Sequence, residues 1–328
     1  MAFPRRPDIL TGPAGTGRRV TAVSYKDHFP IKHLKPWVAR CRDVSFPGVS
    51  PLGAVWHAHV RRPRQRRRLR AWLRATEAPG PLGITVLVVV RNRADQRFDN
   101  LMKSLAAQDL DRARFEVLVL DFGSDPAPAG HLRRACAHYD FRYEREEDTA
   151  EWHQGRAQNA ALRRVRTSAV LICDVDLMLA PNYLSTAVGL LEQDLLGAVV
   201  APMLDLPELP GLDYDAQPFA QLLDRTGKRF GWDFHPAIIA LRVRILKLIG
   251  GVDEEYQLWG GIDVDLYHRL RALGLNRHNV AGTTAYVHQW HPKFQGVNQA
   301  RVEAARLANA ERLMAKRSPY LDRPFLQP

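Results

Sequence analysis

The 328-residue chain has only three cysteines, Cys41, Cys136 and Cys173, too few and too scattered for a disulfide framework. No apolar run approaches the roughly 18 residues that a membrane-spanning helix needs, and the start of the chain has neither a charged-then-apolar leader nor a small-residue cleavage site. The expectation is a reduced, cytoplasmic protein that does not cross a bilayer. The triphosphate-cradling pattern G-x-x-x-x-G-K-[ST] is missing, as is any tight His and Cys set of the kind zinc requires. No module is repeated, which argues against a two-site polymerase. Cys173 closes the apolar stretch Ala169-Val-Leu-Ile-Cys173 and is read as a buried structural thiol.

Acidic residues are scarce at one end of the chain. Residues 1–80 hold 17 Lys and Arg against 4 Asp and Glu, whereas residues 81–328 hold 30 against 31, so the net charge of +12 belongs to the first segment. The excess peaks in Arg61-Arg-Pro-Arg-Gln-Arg-Arg-Arg-Leu-Arg70. Such a run reads as a solvated face or tether, or as a contact with anionic lipid over residues 61–74 in which Trp72 and Leu73 are flanked by arginines; nucleic acid ranks last. A peripheral position at the inner face of a membrane is the corresponding expectation.

Residues 1–82, rich in Pro, Gly and Arg, are expected to form an irregular basic extension that packs partly on the core, with a short helix near Arg66–Thr76. The pattern then changes. Ile84–Val90 is a continuous apolar, β-branched run suited to a strand buried on both faces of a parallel sheet. An amphipathic helix over Arg97–Gln108, a strand over Phe115–Leu120, a helix near Gly130–Tyr139, a strand around Phe141–Tyr143, a helix over Gln154–Val165 and a strand over Ala169–Cys173 follow. This alternation predicts an α/β fold with a mainly parallel, Rossmann-like sheet, helices on both faces, and ligands beyond the carboxyl ends of the strands. The domain is drawn at 83–300, with a first half to residue 200 and a second half from 201 to 300. Residues 301–328 are a helical tail that covers the core or supports a homodimer.

Polar groups follow three of these strands: Arg91-Asn92-Arg93, Asp121-Phe-Gly-Ser-Asp125 and Asp174-Val-Asp176. Asp121 is placed either to hydrogen-bond a base or ribose or to cap its turn. Asp174 and Asp176, two residues apart in extended geometry, point the same way and repel each other unless a cation intervenes. Mg2+ or Mn2+, held by such carboxylates together with phosphate oxygens, resolves that repulsion. In the second half, Trp259-Gly260-Gly261 leads into a helix with Ile262, Leu266, Leu270 and Leu273 on its apolar stripe and Asp263 and Asp265 in its first turn. Asp263 is the better candidate for a base; helix capping is the alternative for both aspartates. In Tyr286-Val-His288-Gln-Trp-His291, His288 is taken as a further ligand of the cation and His291 as a packing or substrate residue.

Together, Val88–Arg93, Phe115–Asp125, Gly155-Arg-Ala-Gln-Asn-Ala160 and Asp174–Asp176 resemble, in order, the nucleotide-sugar half of family 2 glycosyltransferases. Gly250-Gly-Val-Asp-Glu254 and Leu258-Trp-Gly-Gly-Ile-Asp-Val-Asp-Leu266 are similar to the C-terminal galactosyltransferase-type module of β-1,4-galactosyltransferases, polypeptide GalNAc-transferases and bacterial chondroitin polymerases. The resemblance covers about residues 83–300 and implies the GT-A fold. It also implies that Asp121 contacts uridine, that Asp176 is the principal metal ligand with Asp174 on ribose or metal, that His288 is a further ligand, and that Asp263 is the base. Arg91 and Arg156 are expected to meet the base or diphosphate, and Trp259 and Gly260 complete the donor site. Two positions depart from the family pattern: Ile262 stands where a glutamate helps hold the acceptor, and Phe122 replaces a common aspartate.

The implied reaction is metal-dependent, inverting transfer from a nucleotide-sugar, with UDP-sugar the first choice, to a hydroxyl of a glycan, lipid-linked, peptide or small-molecule acceptor. A sugar nucleotidyltransferase and a non-catalytic basic protein that binds nucleic acid or membrane are the alternatives.

Overall fold

The computed structural model describes residues 62–77, 79–147, 151–227, 238–258, 260–292 and 299–316. In chain order these form α1 (Arg62–Thr76), β1 (Ile84–Val90), α2 (Gln96–Ala106), β2 (Phe115–Phe122), α3 (Pro126–His138), β3 (Arg142–Glu146), α4 (Gln154–Arg164), β4 (Ala169–Cys173), β5 (Leu177–Leu179), α5 (Tyr183–Gln193), β6 (Gly197–Val200) and β7 (Leu204–Asp205). They continue with α6 (Phe219–Arg225), β8 (Ile239–Arg242), α7 (Val243–Leu248), α8 (Ile262–Leu273), β9 (Asn276–Asn279), β10 (Tyr286–His288) and α9 (Gln299–Lys316).

The apolar run Ile84–Val90 is buried at every position because it lies inside a covered sheet. The seven strands run in the order β3-β2-β1-β4-β8-β6-β9. Strands β1 to β4 are parallel, and β6 is parallel to β9; β8 runs antiparallel to both of its neighbours. The two-residue period of a strand divides each side chain set between the two faces. Ile84, Val86, Val88 and Val90 pack with Phe98, Leu101 and Leu105 of α2 and Leu184 and Val188 of α5. Leu87 and Val89 face the other way, toward Ala157 and Ala161 of α4, Leu246 of α7 and Leu266 and Leu270 of α8. The result is the expected three-layer α/β arrangement. A second sheet, β5-β10-β7, has its own small core of Met178, Leu204, Leu206 and Val287.

Most element boundaries fall within a few residues of their expected places. α3 starts four residues early, with Pro126 at its first position, where a missing N–H costs nothing. α1 begins at Arg62, and Leu69 and Leu73 are fully buried in the core that also holds Leu270 and Leu275, so this end of the basic extension packs on the core. Trp72 is packed against the same core. The Leu73 side chain and much of Trp72 are thus committed to internal packing. Residues 1–61, which hold the rest of the basic extension, lie outside the described residues. α9 covers the core rather than standing free, with Val302 and Leu313 buried. Cys136 and Cys173 are buried free thiols, and burial pushes Cys173 well above the usual thiol range.

Truncating a core leucine typically costs about 2–5 kcal/mol, so Leu73→Ala should lower the unfolding free energy by that order in urea denaturation. A change near zero would make α1 a loosely attached tether.

Candidate functional site

The ends of β1, β2 and β4 lie side by side, with Val90 opposite Asp121 and Val88 opposite Cys173. Polar residues knit this edge together. The N–H of Asn92 donates to Ser124 Oγ at 2.9 Å, and the N–H of Asp125 donates to Asn92 Oδ1 at 2.7 Å. Arg91 follows β1 at this same edge.

The Asp121 carboxylate is fully buried and accepts from the Ser124 N–H at 2.8 Å, the Tyr143 hydroxyl at 2.7 Å and Arg145 Nη1 at 3.0 Å. These bonds fix the turn 121–125 and hold Arg145. Burial, followed by the hydrogen bond to Asp121, pushes the Tyr143 phenol up to about 12. Nearby, the exposed Arg156 in the first turn of α4 places its guanidinium 5.9 Å from the centre of the Phe122 ring, and Phe122 meets Trp152 edge to face at 6.2 Å. A cation over an aromatic face is favourable, so phenylalanine at 122 gives Arg156 a platform at the end of β2.

The chain leaves β4 through Asp174-Val-Asp176 and enters the second sheet. There His288 of β10 lies opposite Leu177 of β5 and Asp205 of β7, and the Gln289 N–H donates to the Asp176 carbonyl at 2.9 Å. This register brings together three residues far apart in sequence. His288 Nδ1 is 2.9 Å from Asp205 Oδ1, and its Nε2 lies 3.7 Å from Asp176 Oδ2, too long for a hydrogen bond. His291 Nε2 approaches the same Asp176 oxygen at 3.2 Å. Ligand atoms of Asp176, His288 and His291 all lie within 4.8 Å of one another.

One carboxylate and two imidazoles form a donor set that suits a divalent ion. The Asp205 contact fixes one ring nitrogen of His288 and turns the other toward Asp176, the arrangement typical of metal-bound histidines. The residues fit a cation. His291, expected to be a packing or substrate residue, is part of this cluster, and Asp174 lies outside it.

The charges follow from this packing. Burial pushes Asp174 well above the usual carboxylate range, and the neighbouring charges of Asp176 and Asp263 add to it. At Asp176, burial acts in the same direction but is outweighed by His288 and His291, which hold it far below that range. Burial pulls the His288 imidazolium down, yet Asp176 and Asp205 prevail and push it up to about 10.

Asp263 stands in the first turn of α8, close enough for its charge to be felt at Asp174. Burial raises it above the ordinary carboxylate range, while the Val264 N–H, donated at 2.8 Å, pulls the other way. The turn before it runs through Leu258, Gly260 and Gly261, all at positive φ. A Cβ on Gly261, at φ +93°, would sit 2.9 Å from the Tyr256 ring, so no other residue fits without displacement. Gly260 presents its carbonyl to Asn309 Nδ2 of α9 at 2.8 Å; Asn309 also donates to the Gln257 carbonyl and accepts from the Gln257 N–H. Trp259 lies outside the described residues. Asp265 takes the structural role weighed for it: fully buried, it pairs with Arg269 Nε at 2.7 Å, and Arg269 Nη1 donates to the carbonyls of Ile249 and Gly251.

Ile262 is a packing residue. It is buried among the side chains under α8, and a Cβ on Gly155 would lie 3.1 Å from its Cδ1.

Sequence reasoning missed Asp205, Asn309 and the approach of His291 to Asp176. Asp205 stands between Leu204 and Leu206 with nothing in its spacing to mark it. Asn309 had a signal: it is the uncharged polar member of the buried stripe Val302, Arg306, Asn309 and Leu313, at helical intervals of three and four.

The family model described as glycosyl transferase family 2 matches residues 85–248, half of the chain. That span includes Asp174 and Asp176 but not Asp263, His288 or His291. The hyaluronan synthase of Pasteurella multocida is 27% identical over 252 residues, which cover 65% of this chain and 25% of that protein, so the chain spans about a quarter of its length. Among solved structures, GalNAc-T7 with UDP, GalNAc and Mn2+ aligns with a TM-score of 0.51 and 14% identity, over 76% of this chain and 53% of the other. The mannosyltransferase PcManGT from Pyrobaculum calidifontis, in complex with GDP-Man and Mn2+, aligns over 82% of both chains at 21% identity with a TM-score of 0.49. The likeness to GalNAc-T7 is one of fold.

Outer partners of metal-bound histidines commonly contribute about 10- to 100-fold in affinity. Asp205→Ala should weaken Mn2+ binding by that factor in calorimetric titration, and His291→Ala should weaken it as much as His288→Ala does. Unchanged Mn2+ affinity in His291→Ala would return His291 to a packing role.

Proposed function

The chain belongs to glycosyl transferase family 2, and from that premise we propose that it transfers a sugar from a UDP-sugar to an acceptor hydroxyl, with inversion at the anomeric carbon and dependence on Mn2+ or Mg2+. The observation that carries this reading is the cluster of Asp176, His288 and His291 at the end of β4, next to Asp174 and within electrostatic reach of Asp263. Family membership sets aside both the nucleotidyltransferase and the purely binding readings.

Asp176, His288 and His291 would hold the cation, with Asp205 orienting His288. When bound, it supplies positive charge against the diphosphate as that group departs. Asp263 is the base. Its carboxylate accepts the proton of the acceptor hydroxyl as that oxygen forms a bond to the anomeric carbon, and the bond from that carbon to the diphosphate oxygen breaks with its electron pair. Its raised pKa favours this role, because a carboxylate less stabilised as an anion is a stronger proton acceptor. Asp174, beside both groups, is left to the ribose or to an outer contact of the donor. Arg156 on the Phe122 ring and Arg91 past β1 are placed to meet the base or diphosphate. The left-handed turn 258–261 and Asn309 position Asp263 against the donor.

The choice of UDP is supported by GalNAc-T7, whose structure contains UDP, and by the resemblance of the ordered motifs; both bear on the donor only by analogy. With Ile262 in the core, the glutamate that grips the acceptor in related modules has no counterpart at this position. Acceptor contacts must then come from other residues around Asp263.

General-base removal costs about 10^2- to 10^4-fold. Asp263→Asn should therefore lose that much turnover with its preferred UDP-sugar, while a thermal-shift titration with UDP and Mn2+ still shows binding. Turnover within a few-fold of the parent protein would remove Asp263 as the base. A product retaining the donor's anomeric configuration by NMR would overturn inversion, and a thermal response to GDP-sugars alone would overturn the donor.

A further inference from the structure

The basic excess of the sequence takes a definite shape on α1. Leu69 and Leu73 turn inward and anchor the helix. Arg64, Arg67, Arg68 and Arg74 are exposed, as are Ala71 and Ala75. Intervals of three and four residues put these six on one face, within about a third of the helix circumference and opposite the buried leucines. None of the four arginines makes a hydrogen bond or ion pair among the described residues, and the helix itself contains no acidic residue. The row extends for about 15 Å at 1.5 Å per residue.

Its position in the fold limits what it can serve. Arg66 Nη2 donates to Asn276 Oδ1 at 2.7 Å, and Asn276 lies opposite Gly197, the first residue of β6. At the other end, Glu77 just past the helix pairs with Arg242, which lies opposite Ala169, the first residue of β4. Both ties reach the amino edge of the parallel strands. Asp174 and Asp176 stand at the carboxyl edge, so the four arginines cannot contact a donor or acceptor bound there.

We propose that the exposed face of α1 is an electrostatic docking surface for an anionic phospholipid membrane, holding the protein by its amino edge while the cleft at the opposite edge stays open. Guanidinium groups pair strongly with phosphate. A straight, convex row without a concave wall matches a flat array of headgroups. Nucleic acid is the less suitable occupant, because single strands are held by stacking on exposed rings and Trp72, the only ring on α1, is packed on the core. The leucines are committed inward, so attachment is by charge and not by insertion. The inference does not depend on the donor or the base assigned above.

The test is flotation of the full chain with phosphatidylcholine vesicles, with and without phosphatidylglycerol, and of a variant with R64Q, R67Q, R68Q and R74Q. The parent protein should float only with the anionic vesicles and be released at high salt. The variant should lose on the order of a hundredfold or more in partitioning, given the contribution of each basic residue near such a surface, while its thermal midpoint stays unchanged because all four side chains are exposed. Equal partitioning of variant and parent would overturn the proposal. So would failure of the parent to float, or an RNA oligonucleotide that binds the parent and removes it from the vesicles.

Discussion

Asp174 sits between the charges of Asp176 and Asp263 at the carboxyl edge of a parallel sheet, and the site is organised around the repulsion of these three carboxylates. In a cleft where water is partly excluded, like charges interact more strongly than at an open surface. The protein answers unevenly. Asp176 receives two imidazoles and is held as an anion, whereas Asp174 and Asp263 are left to burial, which makes them more basic. The compensating charge at Asp176 comes from groups that can exchange a proton for a cation. A divalent ion would take the place of those protons, while burial leaves both Asp174 and Asp263 the more basic carboxylates.

That division depends on strand register. In β10 a slip of one residue would turn His288 away from Asp176 and Asp205. Main-chain bonds on both sides prevent it: the Gln289 N–H is held by the Asp176 carbonyl and the Leu206 N–H by the His288 carbonyl. The buried Gln289 side chain accepts from Asn100 and donates to the Arg97 carbonyl, tying the same strand to α2. Asp263 is held by different means. A left-handed turn sets its approach, Asn309 from α9 satisfies the carbonyls of that turn, and the Arg269–Asp265 pair anchors α8 to the glycine turn at 250–251. The two chemical components are thus fixed by separate parts of the chain, a small sheet and a pair of helices.

This separation explains what could be read in advance. β1, β2 and β4 were legible because a parallel strand buried on both faces needs an uninterrupted apolar run, and Ile84–Val90, Phe115–Leu120 and Ala169–Cys173 supply one. Asp174, Asp176 and Asp263 were legible because each immediately follows or begins such an element. His288 was found by its proximity to a strand-like segment. Asp205, His291 and Asn309 depend on which elements become neighbours, and β7, two residues long, has no periodicity to announce it. The other partners of Asp121 could not be read in advance, because Tyr143 and Arg145 arrive from β3, whose half-buried, charged sequence does not reveal that it will lie alongside. The buried face of α1 was hard to read because arginines surround Leu69 and Leu73 and obscure a two-residue apolar face.

The sheet also keeps two electrostatic environments apart. Acidic side chains and their imidazole partners occupy its carboxyl edge, while the arginine row of α1 is tied to its amino edge through Arg66 and Glu77. The five-residue β4, which joins these two edges, spans about 17 Å at 3.3 Å per residue, about two screening lengths of about 8 Å at physiological salt. At that distance the arginines have little influence on the ionisation of Asp174, Asp176 or Asp263, and the cluster does not draw them away from an external partner. Placing the basic residues on a helix anchored by two leucines thus lets the chain carry a strong positive charge without neutralising the carboxylates that its chemistry requires.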